Sequence, residues 1–145
     1  VELTVVLSRP SGQELTRKVS YRVPVGAVAG PLYFTVADSS TTNTTEYRQY
    51  LAAPPRSPTQ LLSFLNSLRE NTKAYVRVWR AESGYDVEGR NLPAPPASID
   101  QILARAQAGP APLTPLRNAK LAEIEIDAGG LVVSGSMTVQ VEIKP

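Results

Sequence analysis

The chain has no histidine and no cysteine among its 145 residues. That removes most enzyme chemistry at once. A Ser-His-Asp triad needs an imidazole to take the serine proton, and a thiolate nucleophile needs a cysteine. Zinc and copper sites built on imidazole or thiolate are excluded for the same reason. Neither the phosphate-cradling P-loop spacing nor the dinucleotide-binding glycine pattern occurs. What remains are Ser-Lys pairs and carboxylates. Asp86 and Glu88 are two residues apart, so on a strand both point to one face, a geometry that serves glycoside hydrolysis or calcium. Flanked by Gly84 and Gly89, the same pair also reads as a solvated hairpin, and that reading is preferred.

Three further groups carry polar chemistry. Glu123, Glu125 and Asp127 share a face by the same period of two. They are expected to form the wet side of an amphipathic strand, balanced across the sheet by residues such as Lys18 and Arg22. The run Asp38-Ser39-Ser40-Thr41-Thr42-Asn43 is rich in oxygen ligands but lacks the spacing of an EF-hand loop, and reads as a polar turn or helix cap. Weak calcium binding at Asp38 or Asp86 stays open; no metal site and no cofactor is expected. Asn43-Thr44-Thr45 is formally a glycosylation sequon. Tyr75, Arg77 and Trp79 alternate on one side of a strand. If that face is open, they form a contact patch; if it is closed, the aromatics are core with Arg77 stacked at the edge.

The elements that must position these residues follow from periodicity. Leu3, Val5 and Leu7, then Leu15, Val19, Tyr21 and Val23, alternate with polar residues around Arg9-Pro10-Ser11-Gly12, which predicts a hairpin. Leu32–Val36 predicts a short buried strand. Asn43 with Glu46 has capping-box spacing, and Tyr47, Tyr50 and Leu51 then fall on one helical face up to Pro54-Pro55, although the threonine density argues against a helix. Ser57, Pro58 and Gln60 open a clearer helix, with Leu61, Leu62, Phe64, Leu65 and Leu68 as its apolar stripe and Asn71 as its terminator. Lys73–Arg80 is a strand, Tyr85 and Val87 lie on another, and Leu92–Pro96 reads as a rigid spacer. Ser98 and Gln101 box a short helix through Ile99, Ile102, Leu103 and Ala106, stopped at Gly109-Pro110. Two alternating runs, Ala122–Asp127 and Leu131–Ile143, flank Ala128-Gly129-Gly130 and predict a second hairpin, with a bulge or bend at Gly135.

These elements predict one α+β, mainly β domain over residues 1–145: an antiparallel, immunoglobulin-like sandwich or a strongly bent sheet, with two to three helices in the middle connection. Composition agrees with a globular chain, at 42% apolar and 19% charged residues. Fifteen basic and 13 acidic residues leave a net charge of only +2, with no lysine–arginine run to track phosphates, so nucleic acid is not an expected partner. No segment is long and apolar enough for a membrane helix. A chain opening on Val1 instead of methionine is expected of a piece of a larger protein.

Several stretches resemble a known group. Phe34–Asp38, Glu46-Tyr47-Arg48, Gln60-Leu61-Leu62 with Leu65–Asn71, Ala74–Val78, and Gly89–Ser98 together resemble the C-terminal region of large exported, acidobacterial-type proteins that carry a SpoIVB-type serine peptidase domain upstream. The resemblance covers about half of the chain and no catalytic residue, since that family's histidine has no counterpart. It implies an extracytoplasmic setting and an accessory role beside a peptidase. The resulting expectation is a non-catalytic module that contacts a protein partner or a neighbouring domain of the same chain. A carboxylate-based glycan-active enzyme and a self-associating surface-layer or adhesin domain are the alternatives.

Overall fold

A computed structural model describes residues 1–52, 58–87, 90–93, 95–106, 113–116 and 118–144. The chain is mainly β. Strands β1 (Glu2–Ser8) and β2 (Glu14–Ser20) form an antiparallel hairpin, paired from Glu2 opposite Ser20 to Ser8 opposite Glu14. Strands β3 (Gly30–Ala37), β4 (Lys73–Arg80), β8 (Ala119–Asp127) and β9 (Ser136–Ile143) form a four-stranded antiparallel sheet in the order β8-β4-β3-β9. A third, small sheet has the order β6-β5-β7, from β5 (Gly84–Val87), β6 (Arg90–Pro93) and β7 (Leu113–Leu116). Helices α1 (Ser39–Ala52) and α2 (Pro58–Asn66) lie between β3 and β4, and α3 (Ala97–Ala106) lies between β6 and β7.

The first hairpin lays its apolar face on one face of the four-stranded sheet. Val5 and Val19 meet Leu32, Phe34, Ala74, Val76, Val78 and Ile126, and Tyr21 packs edge-on to Phe34 with ring centroids 5.9 Å apart. The alternation read in the sequence produces this directly, because every second residue of each strand faces the other layer. Leu32, Phe34, Val76 and Val78 are fully enclosed; burying each such side chain contributes about 1.5–3 kcal/mol. Two strands cover four only in part. Met137 and Val139 on β9 face the same side as Val36 and Phe34, their register partners, yet remain 71% and 44% exposed.

The largest correction concerns the C-terminal third. β8 and β9 do not form a hairpin; they occupy opposite edges of the sheet, β8 against β4 and β9 against β3. Residues 128–135 carry the chain across the sheet end, tacked down by Ala128 N–H to the Thr72 carbonyl (3.3 Å) and Val133 N–H to the Asn71 carbonyl (3.0 Å). Gly135 ends this crossing with φ at +104°, a conformation that a Cβ disfavours. There its N–H and carbonyl both pair with Asp38.

Other boundaries shift as well. Residues 90–93 pair as β6 with β5, where a rigid spacer is expected from Leu92-Pro93. β7 has no counterpart among the predicted strands; it pairs with β5 as an edge strand, the position that tolerates Pro115. α2 stops at Asn66, closed by Ser67 N–H to the Phe64 carbonyl and Leu68 N–H to the Leu65 carbonyl, so Leu68 lies beyond the helix. α3 starts one residue before Ser98: the Pro96 carbonyl accepts from both Ile99 and Asp100, and Ser98 is therefore not the cap. The Pro54-Pro55 stop, the Ser57 cap and Gly109-Pro110 lie outside the described residues.

Candidate functional site

The face of the four-stranded sheet turned away from the hairpin is polar, and α1 lies over it. The cause begins at Asp38. Its Oδ1 accepts from Thr41 N–H at 2.6 Å, the N-cap geometry that satisfies an otherwise unpaired first-turn donor. Its Oδ2 accepts from Gly135 N–H at 2.7 Å, so one carboxylate fixes both the start of α1 and the end of the crossing segment. Burial pushes the Asp38 carboxyl upward, but the hydrogen bonds from Thr41 and Gly135 outweigh it, and the group titrates below its ordinary value. With both oxygens engaged, Asp38 acts as a cap. The true cap therefore precedes the expected Asn43–Glu46 box by five residues.

Threonines tolerate this helix because their hydroxyls bond back to carbonyls one turn earlier, Thr42 to Asp38 at 2.8 Å and Thr45 to Thr41 at 2.9 Å. The inward stripe of α1 is Ser39, Thr42, Asn43 and Glu46, all polar, spaced as one helical face. Asn43 uses its whole amide on a single residue: Oδ1 accepts from the Arg69 N–H at 2.9 Å and Nδ2 donates to the Arg69 carbonyl at 3.1 Å. The sequon asparagine is thus a structural clamp.

Beneath α1 lies a five-residue ion cluster from four parts of the chain. Arg69 donates through Nε and Nη2 to the two oxygens of Glu123 at 2.8 and 3.0 Å, a bidentate pair, and through Nη2 to Glu46 at 3.3 Å. Its Nη1 reaches the Ser67 carbonyl at 3.2 Å. Arg77 donates to Glu46 and, at 3.1 Å, to Glu123. Lys120 lies 3.3 Å from Glu46 and 3.8 Å from Glu123. Lys120 and Glu123 are three residues apart, which on a regular strand would put them on opposite faces. The register shift between Val78 and Trp79 brings both to the helix side. Burial opposes the Glu123 charge, but the Arg69 hydrogen bonds and the charges of Arg69, Lys120 and Arg77 prevail, so its carboxyl titrates below the usual range.

Glu123 is therefore not the wet residue the alternation implies; its side chain is only 19% exposed. Its partners are Arg77 on β4, Arg69 just past α2 and Lys120 on its own strand, not Lys18 and Arg22. Period two cannot see a helix laid over the face. Glu125 keeps the expected character, with Lys73 at 2.9 Å near the surface.

The three patch residues separate. Tyr75 is 2% exposed and donates its hydroxyl to the Glu70 carbonyl at 3.1 Å. Arg77 belongs to the ion cluster. Trp79 stacks on Tyr33 with ring centroids 4.3 Å apart and planes 14° from parallel. Its Nε1–H donates to Thr35 Oγ1 at 2.9 Å, and that hydroxyl also meets Thr138 at 2.8 Å. Asp86 lies in β5 opposite Asn91 and Thr114, and Glu88 lies outside the described residues. Among the described residues no three acidic side chains gather where they could hold a metal ion.

What the sequence does not reveal is which way the helices face. With the polar stripe of α1 turned inward, Tyr47 and Leu51 point out, 50% and 57% exposed. Leu61, Leu62, Leu65 and Leu68, expected as a buried stripe, are 42–59% exposed, while Phe64 is half-buried and tilted against Tyr47. The apolar stripe is real, but its four leucines stay exposed. Compared with protein-family models, with curated proteins and with solved structures, the chain matches none.

Proposed function

We propose that the chain is a non-catalytic contact module whose α1–α2 face docks on a protein surface, either a separate partner or a neighbouring domain of the same polypeptide. One observation carries this reading: six large apolar side chains, Tyr47 and Leu51 on α1, Leu61, Leu62 and Leu65 on α2, and Leu68 just past α2, are each more than 40% exposed. Scattered apolar residues are normal on a surface, but a clustered set of this size costs solubility unless something covers it. Polar chemistry beneath the helices supports the same reading. The carboxylates of Asp38, Glu46 and Glu123 are each held by hydrogen bonds or ion pairs that fix structure, which leaves none of the three free to act on a substrate. The resemblance to the C-terminal region of exported peptidase-bearing proteins supplies the setting proposed here, an extracytoplasmic position beside a peptidase.

The test is site-specific photo-crosslinking in the native host, with a benzophenone amino acid replacing Leu62 or Leu65 and a control at exposed Thr44. The expected result is one discrete adduct to a polypeptide, or to a distant segment of the same one, at positions 62 and 65 and none at 44. Adducts only to lipid, or the same adducts from all three positions, would defeat the proposal. Adducts solely between copies of this chain would favour a self-associating structural domain instead.

A further inference from the structure

Along β4, Ala74, Val76 and Val78 point into the sandwich and are completely buried. The next residue of the inward series is Arg80, which is 7% exposed. A guanidinium so enclosed requires partners for its donors, because an unpaired buried charge is strongly unfavourable. Arg80 has one, a 3.3 Å hydrogen bond from Nη1 to Glu82, at the long end of such bonds. Its Nε is buried with no partner. No other hydrogen bond reaches the side chain among the described residues.

Arg80 and Glu82 line a half-open hollow of about 340 Å³ at the end of the sandwich where the chain leaves β2. The remaining wall is largely apolar, with Val23, Ala27, Leu32 and Leu121 among its residues. That combination of an apolar body and one unsatisfied polar anchor is the usual make-up of a small-ligand site.

We infer that this hollow binds a carboxylate carried on an apolar body, held by Nη2 of the Arg80 guanidinium. Nη2 makes no hydrogen bond among the described residues, and its two N–H groups can donate to a carboxylate. Charge sets the ligand class. The walls carry one cation and one carboxylate, so a monoanion leaves a balance of one negative charge and a phosphate dianion would be opposed by Glu82. Free small acids and a peptide C-terminus with an apolar last residue share this chemistry. The site is separate from the α1–α2 surface, and neither reading depends on the other.

The experiment is NMR titration of the ¹⁵N-labelled protein, following the Arg80 Nε–H and the backbone amides of Val23 and Ala27. The probes are hexanoate, hexanamide, inorganic phosphate, and acetyl-Ala-Leu-Val with a free or an amidated C-terminus. Hexanoate or the free-acid peptide should saturate these resonances with millimolar or tighter affinity, and the neutral amides should bind at least about tenfold more weakly. If the peptide acid outbinds hexanoate, the source is a chain terminus; the reverse order identifies a free acid. Arg80→Met, which replaces a buried charge by an apolar side chain of similar reach, should stay folded and lose binding. Should it unfold, Glu82→Gln decides the matter, because removal of the competing carboxylate should tighten hexanoate several-fold. No saturable shift, equal binding of acid and amide, or phosphate bound more tightly than hexanoate would overturn the assignment.

Discussion

Replacing Glu123 by glutamine tests whether the ion cluster stabilises the helix layer. Glu123 accepts two short bonds from Arg69 and one from Arg77, and Lys120 stands 3.8 Å away. Glutamine keeps the shape and one acceptor oxygen but removes the charge, leaving three cations facing Glu46 alone. Buried hydrogen bonds to charged groups contribute about 1.5–3 kcal/mol each, and fully exposed pairs under about 1. At 19% exposure the side chain lies between these limits, so a loss of about 2–3 kcal/mol is expected. For a chain of this length that corresponds to a fall in Tm of about 6–10 °C. Urea unfolding followed by the fluorescence of the single tryptophan, Trp79, measures it directly. The pH dependence has a definite sign. The folded-state carboxyl of Glu123 is depressed, so its contribution is complete above the unfolded value near 4.3 and declines as pH falls through the lower folded value. Wild type and Glu123→Gln should therefore differ most near neutrality and converge below about pH 4. A loss under about 0.5 kcal/mol, or one that persists unchanged into acid, would show that solvent screens the cluster or that shape alone matters.

Asn43→Ala should cost about 2–3 kcal/mol, because it orphans both the N–H and the carbonyl of Arg69 in a partly buried position; chemical denaturation reads this, and Asn43→Asp should rescue little because it cannot donate. Asp38→Ala removes the cap of α1 and the tether to Gly135 together, for a loss of about 2 kcal/mol or more, and faster amide exchange should be confined at first to α1 and residues 128–135. Gly135→Ala should destabilise by about 1 kcal/mol or more through backbone strain alone, since a Cβ there meets nothing within 4 Å; an unchanged midpoint would contradict the positive φ. Leu62→Lys should leave stability within about 0.5 kcal/mol of wild type while abolishing the adduct formed from the benzophenone residue at position 65, which separates a docking face from a core face.

Much of the fold could be read from local pattern, and the failures share one cause. β1 and β2 follow from period-two alternation, β3 and β4 from short runs of β-forming residues, and α2 and α3 from apolar spacing, because each of those signals is contained within the element itself. Pairing partners are not so contained. Ala122–Asp127 and Leu131–Ile143 look like a hairpin about Gly129-Gly130, yet the chain spends residues 131–135 crossing the sheet, and only the Gly135–Asp38 contact, made from afar, fixes where β9 begins. The same limit applies to the site. Tyr75, Arg77 and Trp79 do share one face of their strand. What covers that face is decided by α1, whose inward residues are polar and so give no hydrophobic sign of burial. Glu46 and Glu123 looked like a capping residue and a solvated one because their common partner, Arg69, lies beyond the end of α2. For Arg80 a local cue does exist: it continues the inward series of Ala74, Val76 and Val78, and a charge at an apolar register position marks a place to look.

The position of β9 also bears on how the chain assembles. Thr35 and Thr138 touch across a separation of 103 residues. While the polypeptide emerges from the ribosome, β1 and β2 can close on themselves, and β3 can find β4 once α1 and α2 have been made. The outer edge of β3 has no partner until residues 136–143 exist. Through most of synthesis it offers a row of free backbone donors and acceptors flanked by Leu32, Phe34 and Val36, the kind of edge that recruits foreign strands. Pairings this distant in sequence also form slowly. Premature termination before β9 is complete should therefore yield a sticky, aggregation-prone intermediate, with β9 acting as the latch that closes the sheet.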